Sequence, residues 1–388
     1  MFSELIRPKK IVDLDAISHN YAEVKRVARG REVCPVVKSN AYGLGAVEIT
    51  KHLAQKGCRC VYVSTALEGI ELRKALPNIR INVLNGPNKM NVQLFKAYRL
   101  SPVLNNMEQL SVWEKAHRNR PQVEAILNVE TGFNRLGVRS SEWNFIDLNC
   151  IKKNRITMIM SHLSCAAEDL SDANVQQQNK YQFAMWWNAL QRFGLAGSLA
   201  LDAHMVNTND YPINQLRTGA AICGVNVFPD QLNLKPVFQI EVPVAQVEML
   251  TRGEAVGYGA TYHANKVVKI ATIEIGYSHG LPRELGNKGL VFFSDGKKNY
   301  PAPIVGRISM GLTNCDVTDV PRKALDRGIA MLFDNDTQGN LYTINEMCQD
   351  AGRLDTEIMC SHNSMDIVYL SMEQRQRELS RLKKNKER

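Results

Sequence analysis

Val33-Cys-Pro-Val-Val37 is a short apolar run that ends on Lys38 and passes into Ser39-Asn-Ala-Tyr-Gly-Leu-Gly45. Further runs of the same kind follow at Cys60–Ser64, Ile79–Leu84, Ser101–Leu104, Val123–Val129, Thr157–Ser161, Leu199–Asp202 and Ala220–Gly224. Strands buried on both faces are apolar throughout rather than alternating, which marks a parallel sheet covered by helices. Helical spacing fills the intervals. Ala46, Ile49, Leu53 and Ala54 recur on one face before Gly57, and Thr65-Ala-Leu-Glu68 has the form of a capping box. Strands alternating with helices in this way predict a (β/α)8 barrel; a doubly wound sheet fits the same alternation, but the number of runs favours the barrel.

After about Lys235 the texture changes. Val237-Phe-Gln-Ile-Glu-Val-Pro-Val244 and Val267-Val-Lys-Ile-Ala-Thr-Ile-Glu-Ile275 alternate with period two, and turn signals stand at Ser294-Asp-Gly296 and Asp334-Asn-Asp336. That pattern predicts a mostly antiparallel β domain, closed by a helix from about Met372. The expected division is a barrel over 12–232, with 1–11 and 233–388 forming the β domain.

The 388 residues are 44% apolar and 22% charged, an ordinary globular composition that excludes a disordered or collagen-like chain and suggests two or three domains. No stretch of about 18 apolar residues is present to cross a membrane. The opening MFSELIRPKKIVDLDA carries Glu4, Arg7, Lys9 and Lys10 and no apolar core, so no secretory signal is expected. Nine scattered cysteines then point to a reduced, cytoplasmic chain, and the Cys58-x-Cys60 spacing reads as strand rather than metal site; no metal is expected. The net charge of +9 invites a nucleic-acid or anionic-membrane partner. Glu373–Arg388 alone holds seven basic and three acidic residues, however, and no aromatics interleave the charges for base stacking. Neither nucleic acid nor membrane is expected as a partner.

In such a barrel, reactive side chains stand at the C-terminal ends of strands. A lysine ending an apolar strand is partly desolvated, which favours the neutral amine that Schiff-base chemistry needs. Taken alone, Lys38 reads rather as a snorkelling strand-edge lysine. Arg135 alone is a surface ion-pair residue, His162 a core histidine, and Tyr258 and Tyr277 packing tyrosines.

Together these segments resemble the alanine racemases, pyridoxal-phosphate enzymes of fold type III, in order along nearly the whole chain. Val36-Val-Lys-Ser-Asn-Ala-Tyr-Gly-Leu-Gly45 resembles the motif whose lysine binds the cofactor, nominating Lys38 and Tyr42. Glu130-Thr-Gly-Phe-Asn-Arg-Leu-Gly137 resembles the family's acidic-T-G-M-x-R-L-G segment and nominates Arg135 for cofactor and substrate carboxylate. Met160-Ser-His-Leu-Ser164 nominates His162, and Gln215-Leu-Arg-Thr-Gly-Ala-Ala-Ile-Cys-Gly224 nominates Arg217 for the pyridine nitrogen. Gly257-Tyr-Gly-Ala-Thr-Tyr262 nominates Tyr258 as second base; Ile275-Gly-Tyr-Ser-His-Gly280 and Gly306-Arg-Ile-Ser-Met310 nominate Tyr277 and Met310 at the substrate. For the phosphate, the resemblance implies the Gly219 and Ala220 N–H groups with the hydroxyls of Thr208 and Thr356. It implies racemisation of alanine by two bases, Lys38 and Tyr258, with Tyr258 expected to be activated by cations such as His162. It also implies a homodimer with shared sites and a D-alanine product destined for peptidoglycan.

The side-chain pocket is not set by these motifs, so a racemase of another amino acid, a decarboxylase, or a non-catalytic pyridoxal-phosphate-binding protein are the alternatives. The chain departs from the family pattern at Ser309, Gly311 and Thr356, where relatives carry Cys, Asp and Tyr. Where many relatives have a carbamylated lysine whose charge orients the arginine, this chain has Asn128. A small anion such as chloride between the Asn128 amide and Arg135, or else the Glu130 carboxylate, is expected to fill that role.

Overall fold

The computed structural model describes residues 7–117, 122–166, 168, 171–200, 213–225, 232–333, 342–362 and 365–371. The chain divides into two compact units, one of Ile17–Ala41 and Gly45–Lys235, the other of Met1–Ala16, Tyr42–Leu44 and Pro236–Arg388. The first strand, β1 (Lys9–Asp13), belongs to the second of these.

The first unit is a parallel barrel of β2 (Glu32–Pro35), β3 (Cys60–Val63), β4 (Arg80–Val83), β5 (Ser101–Leu104), β6 (Ala125–Asn128), β7 (Ile156–His162), β8 (Ala196–Ala200) and β9 (Ile213–Thr218). Their order is β2-β9-β8-β7-β6-β5-β4-β3, and a parallel bridge between Val36 and Tyr62 joins the two ends. Helices connect the strands as their sequences direct. Ala46–Gln55 buries Ala46, Ile49 and Leu53, and Thr65 and Glu68 form the capping box that starts Ala66–Ala75. Cys34, Cys60, Tyr62, Val103, Ile126 and Met160 fill one core cluster.

Seven of the expected runs overlap these strands; Ala220–Gly224 does not. It is a turn closed by Cys223 N–H to Gly219 O and Gly224 N–H to Ala221 O, and the last barrel strand is Ile213–Thr218 just before it. Ile213-Asn-Gln-Leu-Arg-Thr218 holds only two apolar residues, so a search for apolar runs passes over it. The expectation of reduced thiols also needs correction. Val36 opposite Tyr62 sets Cys34 beside Cys60, their Cα atoms 5.4 Å apart, and the two are joined as a disulfide. Glu32 lies close to both sulfurs, but its carboxylate is taken by Arg80 at 2.5 Å and the Gln215 side-chain amide at 2.7 Å.

The second unit is built on β10 (Phe238–Leu250), which pairs with three other strands. Its first half lies antiparallel to β1, and a bulge after Val244 interrupts the pairing of its second half. The later strands are β11 (Ala255–Val256), β12 (Tyr262–His263), β13 (Val268–Ile273), β14 (Leu290–Ser294), β15 (Asn299–Val305), β16 (Thr313–Asp316), β17 (Ile329–Met331) and β18 (Asp366–Leu370). Strands β10, β13, β16, β15, β14 and β17 close an antiparallel ring, and β1 with β18 extends it from β10. Ser294 pairs with Asn299 across the turn read from Ser294-Asp-Gly296. Asp334–Asp336 and the helix expected from Met372 lie outside the described residues. Among the described residues, no helix is long and apolar enough to cross a membrane.

His362 is buried in this unit at the end of the helix Asp355–Ser361, with Nδ1 2.6 Å from Ile358 O and Nε2 unbonded. Burial first, then Lys10 and His279, push its pKa down to about 4. The unfolded chain takes up this proton near pH 6.5 while the folded chain does not, so stability falls as the pH drops from 6.5 toward 4. Urea unfolding at pH 7.5 and pH 5 should therefore show a loss in the parent protein that His362→Asn reduces by on the order of 2 kcal/mol. Equal losses in both proteins would contradict a neutral buried His362.

Candidate active site

The barrel unit gathers its nominated residues at the C-terminal ends of the strands. Lys38 follows β2 and is half-buried. His162 is the last residue of β7, and Arg217 is the penultimate residue of β9. Arg135 lies on the loop after β6. His162 feels Arg217, Arg135 and Lys38 together, so these four share one neighbourhood.

The turn after Lys38 is left-handed. Ser39, Asn40, Ala41 and Tyr42 hold φ between 52° and 56°. Within the second unit, buried Lys10 donates from Nζ to Gly43 O at 2.6 Å, and Tyr369 donates to Leu44 O at 3.1 Å. Nothing in the sequence signalled Lys10, which reads as one more charge near the start.

Arg217 is buried and donates to the Ser198 hydroxyl at 2.7 Å and to Ser161 O at 2.5 Å, with its guanidinium over the Tyr62 ring. Burial lowers its pKa to about 10, so it stays a cation at neutral pH. Among the described residues no carboxylate pairs with it. Gly219 and Ala220 follow at the start of the turn beyond β9. Ser161 and Ser198 were not singled out from sequence; small hydroxyls inside otherwise apolar barrel strands were the available signal.

His162 opens onto the barrel mouth but is crowded by protein. Desolvation, then Arg217, Arg135 and Lys38, push its pKa down to about 3. Because the ring keeps some solvent access, the three surrounding cations are the firmer cause of that direction. The surrounding cations therefore favour the neutral imidazole at His162 over the expected positive charge.

The loop carrying Arg135 is pinned at its base. Val138 N–H donates to Asn128 O at 2.8 Å and Glu130 N–H to Val138 O at 3.1 Å. Gly137 has φ 141°, and a Cβ there would lie 2.4 Å from Glu130 N. The Asn128 amide donates to Asn105 Oδ1 at 2.9 Å and to Leu136 O at 3.1 Å, which engages both of its hydrogens. The Glu130 carboxylate accepts Gly132 N–H at 2.5 Å. Neither expected partner meets Arg135: the Asn128 N–H groups are both engaged, and among the described residues Glu130 accepts Gly132 N–H and forms no ion pair with the arginine.

The second unit carries the remaining nominees. Tyr258, Tyr277 and Met310 are exposed at 68%, 44% and 62%. The Tyr277 and Met310 turns are clasped together by Tyr277 N–H to Ser309 O at 3.1 Å and Ser278 N–H to Met310 O at 2.9 Å. Gly259, next to Tyr258, lies against the Arg307 guanidinium. Thr356 lies in the first turn of Asp355–Ser361. Thr208 lies outside the described residues.

The family models for the N-terminal and C-terminal domains of alanine racemase match residues 12–227 and 237–368. An alanine racemase of Rickettsia rickettsii is 33% identical over 358 residues, covering 91% of this chain and 96% of its own. One from a Ruegeria species is 35% identical over 310 residues, covering 80% and 85%. Among solved structures, the alanine racemase of Bartonella henselae with covalently bound pyridoxal phosphate superposes with a TM-score of 0.83 at 29% identity, over 94% of this chain and 99% of that one. The biosynthetic enzyme of Pseudomonas aeruginosa gives 0.81 at 26% identity, over 94% and 99%. Matching both domains and nearly the full length of these relatives, the chain belongs to the alanine racemase family.

Proposed function

We propose that the protein is an alanine racemase that uses pyridoxal 5′-phosphate to interconvert L- and D-alanine, supplying D-alanine for peptidoglycan in the cytoplasm. The observation that carries the reading is the cluster of Lys38, Arg135 and Arg217 around His162, in a chain matched to this family across both domains. The residues fit the cofactor. Arg217 is a buried guanidinium held by a hydroxyl and a carbonyl, with no carboxylate partner among the described residues, so it can donate to a neutral ring nitrogen. A carboxylate in that place would instead favour a protonated ring.

When bound, pyridoxal phosphate supplies the electron sink that makes the substrate Cα proton acidic. Lys38 would hold the group through its amine and would carry the proton of the D-isomer, while Tyr258 would carry that of the L-isomer on the opposite face. Arg135 binds the substrate carboxylate, with Tyr277 and Met310 bounding the substrate. Tyr42, Thr208, Thr356 and the Gly219 and Ala220 N–H groups hold the phosphate. The barrel of 12–232 carries the cofactor, and the β domain of 1–11 and 233–388 supplies Tyr258 to the site of a second protomer. Neutral His162 leaves the charge at the barrel mouth to Arg135, Arg217 and the amine.

A chiral assay of the purified holoenzyme against a panel of L-amino acids should yield D-alanine from L-alanine, and Lys38→Ala should abolish it in both directions. Racemisation of another amino acid alone, or persistent borohydride-reducible cofactor in Lys38→Ala, would overturn this assignment. Mixing Lys38→Ala with Tyr258→Phe protomers should restore part of the activity through heterodimers with one intact site. A mixture that exchanges subunits and stays inactive would refute shared sites. The His162 ring nitrogens should show no protonation by NMR between pH 5 and pH 8, since the pKa stands near 3; titration near 6.5 would return the charge to this residue.

A further inference from the structure

Arg135 is an exposed arginine on a loop, and among the described residues no carboxylate forms an ion pair with it. An unheld arginine carries about 2 kcal/mol of rotamer entropy, which any ligand must overcome. The expected partners do not meet it: among the described residues Glu130 accepts Gly132 N–H and forms no ion pair with Arg135, and the Asn128 amide donates to Asn105 and Leu136. What meets the guanidinium is an aromatic face. Arg135 Cζ stands 4.1 Å from the centre of the Phe133 ring. That ring packs in turn on the His162 imidazole, with centroids 5.6 Å apart and planes tilted by 47°. The stack runs from the end of β7 through Phe133 to Arg135.

We propose that Phe133 is the positioning residue that holds Arg135 for the substrate carboxylate, doing with a π face what a counter-anion would otherwise do. The inference rests on the reading of Arg135 as the carboxylate-binding group. A cation–π contact uses the face of the guanidinium, whereas a carboxylate binds in the plane of its N–H fork. The two partners occupy different directions, so Phe133 fixes the arginine without competing for its donors. A chloride or carboxylate would occupy the same fork as the substrate and would have to leave or share it.

The backbone beneath the stack is fixed as well. Gln178 donates from its side-chain amide to Gly132 O at 3.2 Å, and Gly137 N–H donates to Asn105 O at 3.1 Å. The ring therefore stands on a braced loop. His162 behind it is uncharged, so the second ring adds no repulsion against the guanidinium.

The test compares parent holoenzyme with Phe133→Leu and Phe133→Tyr, measuring racemisation kinetics and, by calorimetry, the affinity for propionate, a carboxylate without the reacting amine. Phe133→Leu should weaken propionate binding and raise KM for alanine by roughly threefold to thirtyfold, the range of a cation–π contact, with kcat changed far less. Cofactor absorbance and Tm should stay near the parent values. Phe133→Tyr keeps the face and should restore both constants. Unchanged propionate affinity in Phe133→Leu would overturn the proposal, as would a Tyr variant as impaired as the Leu variant. Propionate binding does not depend on turnover. A protein that does not racemise alanine, yet loses propionate affinity in Phe133→Leu, would refute the racemase reading and leave Phe133 its role. Racemisation with no effect of Phe133→Leu would do the reverse, and a parent protein that binds no propionate would overturn the role of Phe133.

Discussion

Four consecutive L-residues in left-handed conformation set the central constraint on this structure. Ser39 to Tyr42 each sit where Cβ crowds the following carbonyl, at roughly 1–2 kcal/mol per residue. Such a turn persists only if its surroundings over-determine it. Ala41 N–H donates to Val37 O at 2.9 Å, Ser39 N–H to Glu68 Oε1 at 2.7 Å, and Gly45 N–H to Asn40 O at 2.8 Å. The Asn40 side chain accepts Ala46 N–H at 2.9 Å, so the turn also starts the next helix. Lys10 and Tyr369 take the carbonyls of Gly43 and Leu44. The result is that the chain reverses immediately after Lys38, so the lysine cannot slide along its strand.

The barrel mouth has a second property that follows from which groups are absent from it. Lys38, Arg135 and Arg217 surround one imidazole, and among the described residues neither arginine forms an ion pair with a carboxylate. A cleft lined by one sign of charge concentrates ligands of the other sign. The phosphate and carboxylate proposed as ligands are both anions. The same crowding keeps His162 neutral, so its part is to pack and orient rather than to add charge.

Much of the barrel was legible because a strand buried on both faces must be apolar, and a lysine breaking that rule at a strand end stands out. Thr65 and Glu68 were legible for a local reason, since a capping box needs only four residues. The last strand was not. Its polar Gln215 and Arg217 are buried within the unit, and the apolar segment after it is bent into a turn by Gly219 to Gly224. Arg135 was readable by resemblance, but its surroundings were not. Whether Asn128 faces an anion or two carbonyl-type acceptors depends on Asn105, more than twenty residues away, and spacing along a strand does not reveal it. Phe133 was not singled out, standing where the motif it resembles carries methionine.

The two arginines beside His162 are oriented by uncharged partners: Arg217 by Ser198, Ser161 and the Tyr62 ring, Arg135 by the Phe133 ring. This choice has an energetic consequence. A guanidinium paired with a fixed carboxylate is already satisfied, and a ligand gains only the difference between the two partners. Held by neutral groups, each arginine keeps its charge uncompensated until a ligand arrives, which is costly for buried Arg217 and lowers its pKa. That cost is recovered only when an acceptor binds, so ligand binding and the stability of the barrel mouth are coupled. The fold thus keeps these two cations in place with hydroxyls, carbonyls and rings rather than with a fixed counter-charge.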